Sequence, residues 1–390
     1  MATTPIQPEL IRWAIDRSGL TREELRKKFP RIELWQSGEK QPTLRQLENF
    51  ARTTMTPLGT LFLANPPREQ LPVPDFRTLN DKPLKRFSPN LIDTIRIIQQ
   101  RQEWMRDWLL EDGASELDFV GSIKVSRNIQ SVAQEIRQRL DLAANWAEGL
   151  ASWEAALQTL RQSIERTGIL VFSNSIVGLN THRALDPNEF RGFVLCDKFA
   201  PTVFINDADT KSARIFTLAH ELVHVWLGQD GVFNLEHLLP ANIETERFCN
   251  QVAAEFLVPE YKLVRRWKDV RTAKRPFQLI ANWFKVSPVV AARRALDLRL
   301  ITKQQFFKFY EEDRAEWEEL KLKRKKSKGG GNFYATQNIR LGRRFSAAVV
   351  RAARSSRILF QDAFRLTGMK GKTFHRFADM VTDRVRNEHE

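Results

Sequence analysis

The chain opens with a pattern of short amphipathic helices. In residues 1–65, apolar positions such as Leu10, Trp13 and Ala14 recur at the spacing of one helical face. Thr21 and Thr43 each precede a Glu or Gln by three residues, a spacing typical of the capping box that begins a helix. The segment 66–87 is rich in proline and ends this predicted helical bundle.

Strand patterns occur only near the middle of the chain. Residues 88–165 predict helix throughout, because apolar residues from Leu91 to Leu109 keep the period of one long amphipathic helix, and a second long helix is expected at about 146–166. Apolar runs bounded by Gly, Pro or Asn then predict strands at 168–173, 193–196 and 202–205. Helical patterns return at 211–227, 243–257, 275–285, 288–298 and 302–320, and about three more helices are expected in 333–385. The fold class predicted from these patterns is α+β, mainly helical, with a small sheet.

The positive charge of the protein is concentrated in one region. Lys and Arg total 62 against 47 Asp and Glu, a net charge of +15. Residues 321–376 hold 16 Lys or Arg and one acid, so 46 residues of each sign remain elsewhere. A local excess of this kind favours a contact with a polyanion such as DNA, although a solvated tail would show the same composition.

The remaining composition limits the class of protein. Cys196 and Cys249 cannot form a disulfide framework, and both lie in apolar runs, so we expect buried thiols. The first residues lack the basic and apolar pattern of a secretory signal, and no stretch approaches the 18 apolar residues of a membrane span. These features predict a cytoplasmic protein without a membrane partner.

The motif His220-Glu-Leu-Val-His224 carries the clearest chemistry. It lies in a predicted helix without Gly or Pro, where two His four residues apart face the same side and can bind one Zn²⁺ ion. Glu221 then lies beside the metal as a candidate general base and acid. Leu, Val, Ala and Trp surround the three residues, and burying them there without a role would be costly.

A catalytic zinc site also needs a third protein ligand. The predicted helix at 243–257 offers Glu244, Glu246 and Glu255. We favour Glu246, because Asn250 lies one turn further on the same face and can support a ligand by hydrogen bonding. Glu244 is near the helix start, where an acid also favours the helix dipole. All three are also compatible with solvated helix surface.

Three segments resemble the ImmA/IrrE family of bacterial and phage metallopeptidases. They are FTLAHELVHVWLG at 216–228, ERFCNQVAAEFLVP at 246–259 and GFVLCDKFAPTVFIND at 192–207. The likeness extends over nearly the whole chain and includes an XRE-like helix-turn-helix in front, the PVPDFRT segment at 72–78 and the basic C-terminal part.

The resemblance implies a zincin-type domain with a small sheet, an active-site helix and a downstream ligand helix. It implies Zn²⁺ held by His220, His224 and Glu246, with Glu221 as general base and acid. It also implies a narrow substrate class, namely DNA-binding repressors whose cleavage releases stress-response or mobile-element genes. We further expect that strand 202–206 offers an edge to a substrate peptide. Tyr261 and His237 are candidate oxyanion stabilisers, although either suits an ordinary surface or loop position.

The expected organisation has six parts. They are a helix-turn-helix-like bundle at 1–65, a proline-rich linker at 66–87, a helical connector at 88–166, a zinc metallopeptidase domain at 167–320, a basic and glycine-containing linker at 321–332 and a basic helical domain at 333–390.

Both terminal parts contain candidate nucleic-acid contacts. Those in the N-terminal bundle are Arg31, Gln36, Lys40 and Gln41, but the region leaves room for only a clipped recognition helix. Those in the basic part are Arg340, Arg343, Arg344, Lys370 and Lys372. Thr373 is predicted to cap the N-terminus of a helix, a position able to bind a phosphate group of a nucleic acid.

The leading function is a zinc endopeptidase acting on a repressor or antitoxin. One alternative is a DNA-binding transcriptional regulator whose metal site is structural or inactive. Another is a toxin–antitoxin or phage interaction protein that is active only in a complex.

Overall fold

The computed structural model describes residues 5–67, 78–79, 82–83, 87–233, 244–323 and 332–387. The chain divides into two compact units. The first contains Met1–Pro72 and Lys82–Ile97, and the second contains Val73–Asp81 and Ile98–Glu390.

The first unit is a bundle of short helices. Its elements are α1 Pro8–Ser18, α2 Arg22–Lys28, α3 Ile32–Ser37, α4 Leu44–Thr53 and a short 3-10 helix at Leu58–Phe62. Both predicted capping boxes are present, since Thr21 and Thr43 each exchange side-chain and backbone hydrogen bonds with the residue three positions on. Phe29, Trp35 and Phe50 form an aromatic cluster in the core.

Helix α3, at the position predicted for a recognition helix, has only six residues. Arg31 and Lys40 are exposed on either side of α3, and Gln36 is half-buried within it. Gln41 is not available in the way expected, because its side-chain amide bonds both the N–H and the carbonyl of Ile6. These bonds give Gln41 a structural role, and a DNA contact at this residue stays a prediction.

The second unit carries most of the chain. The next elements in chain order are β1 Thr78–Leu79, which belongs to the second unit, β2 Lys82–Pro83, which belongs to the first, and helix α5 Pro89–Glu111. The further elements are α6 Ile129–Arg139, α7 Trp153–Arg166, β3 Leu170–Asn174, β4 Ile176–Val177, β5 Asn180–Ala184, β6 Gly192–Leu195, β7 Thr202–Asn206, α8 Lys211–Leu227, β8 Gly231–Phe233, α9 Glu244–Leu257, α10 Glu260–Val270, α11 Pro276–Phe284, α12 Pro288–Asp297, α13 Lys303–Lys323, α14 Phe333–Leu341, α15 Arg343–Arg354, α16 Phe360–Thr367 and α17 Gly371–Asn387. The predicted class, α+β and mainly helical, is confirmed.

The main sheet has the strand order β3-β7-β6-β8. Strand β3 pairs with β7 in parallel, and β6 pairs with both β7 and β8 in antiparallel orientation. The rings of Phe193 and Phe204, which are partners across β6 and β7, stack at 4.8 Å. The expectation that strand 202–206 is an edge is wrong, because β7 lies between two paired neighbours.

Several local predictions are corrected by the structure. The segment 88–165, expected to be helical throughout, contains three helices separated by 112–128 and 140–152, where glycines with positive φ occur. The second long helix expected at about 146–166 begins at Trp153. The hairpin β4–β5 and helix α10 were not predicted, and residues 332–387 form four helices. Helix α17 begins at Gly371, so Thr373 lies inside it and is not its N-cap.

Helix α8 is the centre of the second unit. Its N-terminus is capped by Thr210, whose hydroxyl accepts the N–H of Ala213, and it ends at Gly228 in the left-handed conformation. Every residue from Ile215 to Trp226 is buried. The helix packs against β6 and β7 on one side and against α7 and α9 on others, so its polar residues are enclosed by protein.

The C-terminal helices contact the sheet and α7 through hydrogen bonds of α14 and of the first turn of α15. Arg161 of α7 donates hydrogen bonds to the carbonyls of Val171 in β3 and Ile339 in α14. Glu165 of α7 accepts the N–H of Arg343 at 2.7 Å, at the first turn of α15. These contacts cover the side of β3 away from β7, and residues 332–387 therefore pack as part of the second unit. Among the described residues, no helix combines the length and apolarity needed to span a bilayer.

Candidate metal centre

Helix α8 brings the three polar residues of the sequence motif into one buried place. His220, Glu221 and His224 are fully buried. Because the two His are four residues apart, their rings lie on the same face, with the Nε2 atoms 3.1 Å apart. Burial of three ionisable groups in an apolar helix points to a shared partner.

Helix α9 supplies the carboxylate that completes the group. Glu246 Oε2 lies 3.3 Å from His220 Nε2, and Oε1 lies 3.4 Å from His224 Nε2. Glu244 is exposed at the start of the helix. Glu255 is occupied elsewhere by a buried ion pair with Arg294. Of the three acids considered from the sequence, the structure brings Glu246 to the two His.

The spacing of the three residues suits a tetrahedral metal ion. Their candidate ligand atoms all lie within 4.8 Å of one another. A tetrahedron with zinc–ligand bonds of about 2.0–2.1 Å has edges of about 3.3–3.4 Å. The contacts of 3.1, 3.3 and 3.4 Å are close to these edges. The residues present therefore fit a metal ion held by two imidazoles and one carboxylate.

Contacts behind the two imidazoles support this arrangement. His220 Nδ1 lies 3.0 Å from Asn250 Oδ1, and His224 Nδ1 lies 3.8 Å from the Cys249 sulfur. Asn250 Oδ1 only accepts, so His220 Nδ1 carries the proton and the lone pair of Nε2 faces Glu246. In this tautomer Nε2 is the atom of the His220 ring that is able to bind a metal ion.

Charge states in the cluster agree with metal binding. Burial alone would raise the pKa of Glu246, but contacts with His220 and His224 outweigh it and lower the pKa to about 2. Burial lowers the pKa of His224 to about 4, so this imidazole is neutral near pH 7. An ionised carboxylate and a neutral imidazole are the forms that bind metals.

Glu221 has different surroundings from Glu246. Both of its carboxylate oxygens are buried, and neither has a hydrogen-bond partner within the part of the chain that the structure describes. Burial, with a further contribution from the charge of Glu246, raises the pKa of Glu221 well above its ordinary value. A carboxyl group next to the ligands with a raised pKa is suited to accept and return a proton near neutral pH.

The two candidate oxyanion stabilisers are Tyr261 and His237. Tyr261 lies in the first turn of α10 with 63% of its surface exposed. His237 lies outside the described residues. A role for either residue stays a prediction.

The candidate nucleic-acid contacts in the basic part have unequal surroundings. Arg340 and Arg344 are partly buried, and burial lowers the pKa of both. Arg343 is exposed, but its backbone is bound by Glu165. Lys370 and Lys372 are exposed on either side of Gly371.

One neighbour of the site was not identified from the sequence. Cys249 was expected only to be a buried thiol, but its sulfur contacts His224. Burial raises the pKa of Cys249 well above its ordinary value, so it remains a neutral thiol behind the imidazole. Its position three residues after Glu246, on the ligand helix, was the available signal.

Comparison with known families agrees with this site. Residues 164–296 match the family model described as the IrrE N-terminal-like domain, peptidase M78. Residues 341–380 match a model described as a domain of unknown function, DUF8813. Neither the curated proteins nor the solved structures contain a match to the chain. Both models leave the N-terminal bundle uncovered, so its XRE-like character stays a prediction.

The first match includes both helices of the cluster. It implies a metal, typically zinc, and the group of His220, His224 and Glu246 is able to hold one. It does not favour the alternative of a regulator without peptidase character. The match supports a metallopeptidase-type domain at residues 164–296 of this chain, similar to the IrrE N-terminal-like domain.

Proposed function

We propose that the protein is a zinc-dependent endopeptidase of narrow specificity. Its proposed substrate is a DNA-binding repressor or antitoxin, whose cleavage would derepress stress or mobile-element genes. The observation that carries the proposal is the triangle of His220, His224 and Glu246, together with the buried carboxylate of Glu221, the residue that follows His220 on α8. The substrate class rests on the family resemblance.

The residues of the site have separate roles in the proposed peptide hydrolysis. His220, His224 and Glu246 would hold the ion, which when bound polarises a carbonyl and acidifies a water molecule. Glu221 accepts a proton from the attacking water while the water oxygen bonds to the scissile carbonyl carbon. As the carbon–nitrogen bond breaks, Glu221 gives the proton to the leaving amine. Asn250 keeps the His220 ring in the orientation and tautomer that metal binding needs.

Glu221→Gln is the central test of the proposal. The substitution keeps the shape of the side chain and removes its ability to take a proton. The variant should bind about one zinc ion per chain, as the wild type does, and should not cleave a repressor encoded beside the gene. Cleavage at the wild-type rate by this variant would exclude the proposed mechanism.

A matched pair of variants tests the assignment of Glu246 as a zinc ligand. Glu246→Gln should lose zinc, because it removes a charged ligand, whereas Glu244→Gln makes the same change at an exposed position on the same helix and should keep zinc. Equal zinc binding by the two variants would contradict the assignment of Glu246.

We further propose that the C-terminal helices contact DNA. Arg351, Lys370 and Lys372 are exposed, and within the described residues no ion pair involves them. Deleting these helices would uncover β3, so charge reversal is the cleaner test. Changing the three residues to Glu should weaken binding to duplex DNA and make binding less dependent on salt, by about one unit of slope for each phosphate that the surface no longer neutralises. An unchanged slope would contradict DNA binding at this surface.

A further inference from the structure

Gly192 lies within a strand, where glycine is unfavourable and its presence requires a physical explanation. It begins β6, between Ile205 of β7 and Phe233 of β8. Glycine within a strand weakens the strand, because it has greater freedom in the unfolded chain and no side chain to pack. Gly192 is not among the glycines with positive φ, so its backbone conformation is open to other residues. The requirement for glycine must therefore come from its surroundings.

Space beside Gly192 is taken by Glu221. A Cβ atom at this position would lie 2.7 Å from Glu221 Oε1, 2.9 Å from Thr217 Cγ2 and 3.0 Å from the carbonyl oxygen of Phe204. The first two distances are shorter than side-chain carbons tolerate. Thr217 is β-branched and held in a helix, where its χ1 angle is restricted to two rotamers. The carboxylate of Glu221 is the group with the most freedom to move.

No hydrogen bond within the described part of the chain holds the Glu221 carboxylate. Its position is therefore set by the surfaces that surround it, and the Cα face of Gly192 is one of them. We infer that Gly192 is a positioning residue, which by lacking a side chain leaves the space in which the Glu221 carboxylate lies beside the metal ligands. The proton-transfer role of Glu221 rests on the proposed function, whereas the packing relation between the two residues does not.

A double-mutant cycle on the full-length, chelator-treated chain tests this relation. Thermal unfolding is measured for the wild type, Gly192→Ala, Glu221→Ala and the double variant. Gly192→Ala should lower the melting temperature by several degrees. In the Glu221→Ala background, Gly192→Ala should lower the melting temperature by less than half as much, because the carboxylate that it displaces is absent. Equal losses in the two backgrounds would overturn the inference.

Thr217→Ser provides the matched background, because it removes only the methyl group that also approaches Gly192. In the Thr217→Ser background, Gly192→Ala should lower the melting temperature by about as much as it does in the wild type. If Gly192→Ala has no effect there, the glycine is required by the Thr217 methyl group and not by Glu221. If Gly192→Ala alone does not fold, recovery of folding in the double variant with Glu221→Ala supports the inference, and continued failure opposes it.

Zinc titration separates positioning from metal binding. Gly192→Ala should still bind about one zinc ion per chain, with a dissociation constant within about threefold of the wild-type value, since the three ligands are not displaced. Cleavage of a repressor that the wild type cleaves should fall about 100-fold, the effect of misplacing a reacting group by about 1 Å. An unchanged turnover rate would overturn the positioning role. If no repressor is cleaved even by the wild type, the proposed function fails, and the stability cycle still decides the packing relation.

Discussion

Replacing Asn250 tests how far the metal site depends on residues behind the ligands. Its Oδ1 accepts a hydrogen bond from His220 Nδ1 at 3.0 Å, and His220 is fully buried. Asn250→Ala leaves that N–H without its partner, at a cost of about 1–3 kcal/mol. If this cost falls on the metal-bound form, zinc affinity drops roughly 5- to 140-fold, since about 1.4 kcal/mol is a factor of ten. The usual loss on removing such a partner, about 10- to 100-fold, lies within this range.

Competition with a chromophoric chelator measures the affinity, with stoichiometry taken from the same titration. Asn250→Ala should still bind one zinc ion per chain but more weakly by the factor given above. Asn250→Asp keeps an acceptor oxygen and should bind zinc at least as well as the wild type. Gln251→Ala removes an amide from the neighbouring position of α9 and should have little effect. Wild-type affinity in Asn250→Ala, or an equal loss in Gln251→Ala, would refute the reasoning.

Three further predictions concern the packing of the second unit. Burial raises the pKa of Glu165 above its ordinary value of 4.5, so its contribution to stability is complete below that value and is lost as the pH rises through the folded-state pKa. The melting temperature of the wild type relative to Glu165→Gln should therefore fall as the pH rises from 4.5, and a constant difference would contradict this. Gly342→Ala places a Cβ 2.6 Å from Glu165 Oε1 at a φ of +76°, and should cost about 1–3 kcal/mol, more than Gly149→Ala, which has a φ of +79° and open space. Arg294→Met leaves Glu255 buried without its ion pair and should lower the free energy of unfolding by about 3–5 kcal/mol. Arg293→Met, at a partly exposed ion pair, should lower it by less than about 1 kcal/mol, and urea unfolding compares the two variants.

The pattern of residues along the sequence was sufficient to predict helix α8. The run from 211 to 227 contains no Gly or Pro and is flanked by Thr210 and Gly228, and α8 has those bounds. The i, i+4 relation between His220 and His224 is a property of any α-helix, so their shared face followed from the sequence. The capping boxes at Thr21 and Thr43 were predictable for the same reason, since they depend on residues three positions apart.

Features that depend on distant parts of the chain were harder to predict. Strand β7 reads like any short apolar strand, and only its pairing with β3 and β6 shows that it is not an edge. The breaks between α5, α6 and α7 occur at glycines in the left-handed conformation, whose apolar flanks kept a helical pattern in the sequence.

The sequence by itself determined helix α8, the capping boxes at Thr21 and Thr43 and the pair of imidazoles, because each depends on residues within one or two turns of one another. It also supplied three acids on α9, and helical spacing with Asn250 favoured Glu246 among them. Only the tertiary structure, by packing α9 against α8, brought Glu246 within 3.4 Å of both imidazoles and paired Glu255 with Arg294. The place of Gly192 beside Glu221 was decided in the same way, since a contact between a strand and a helix has no signature in local periodicity.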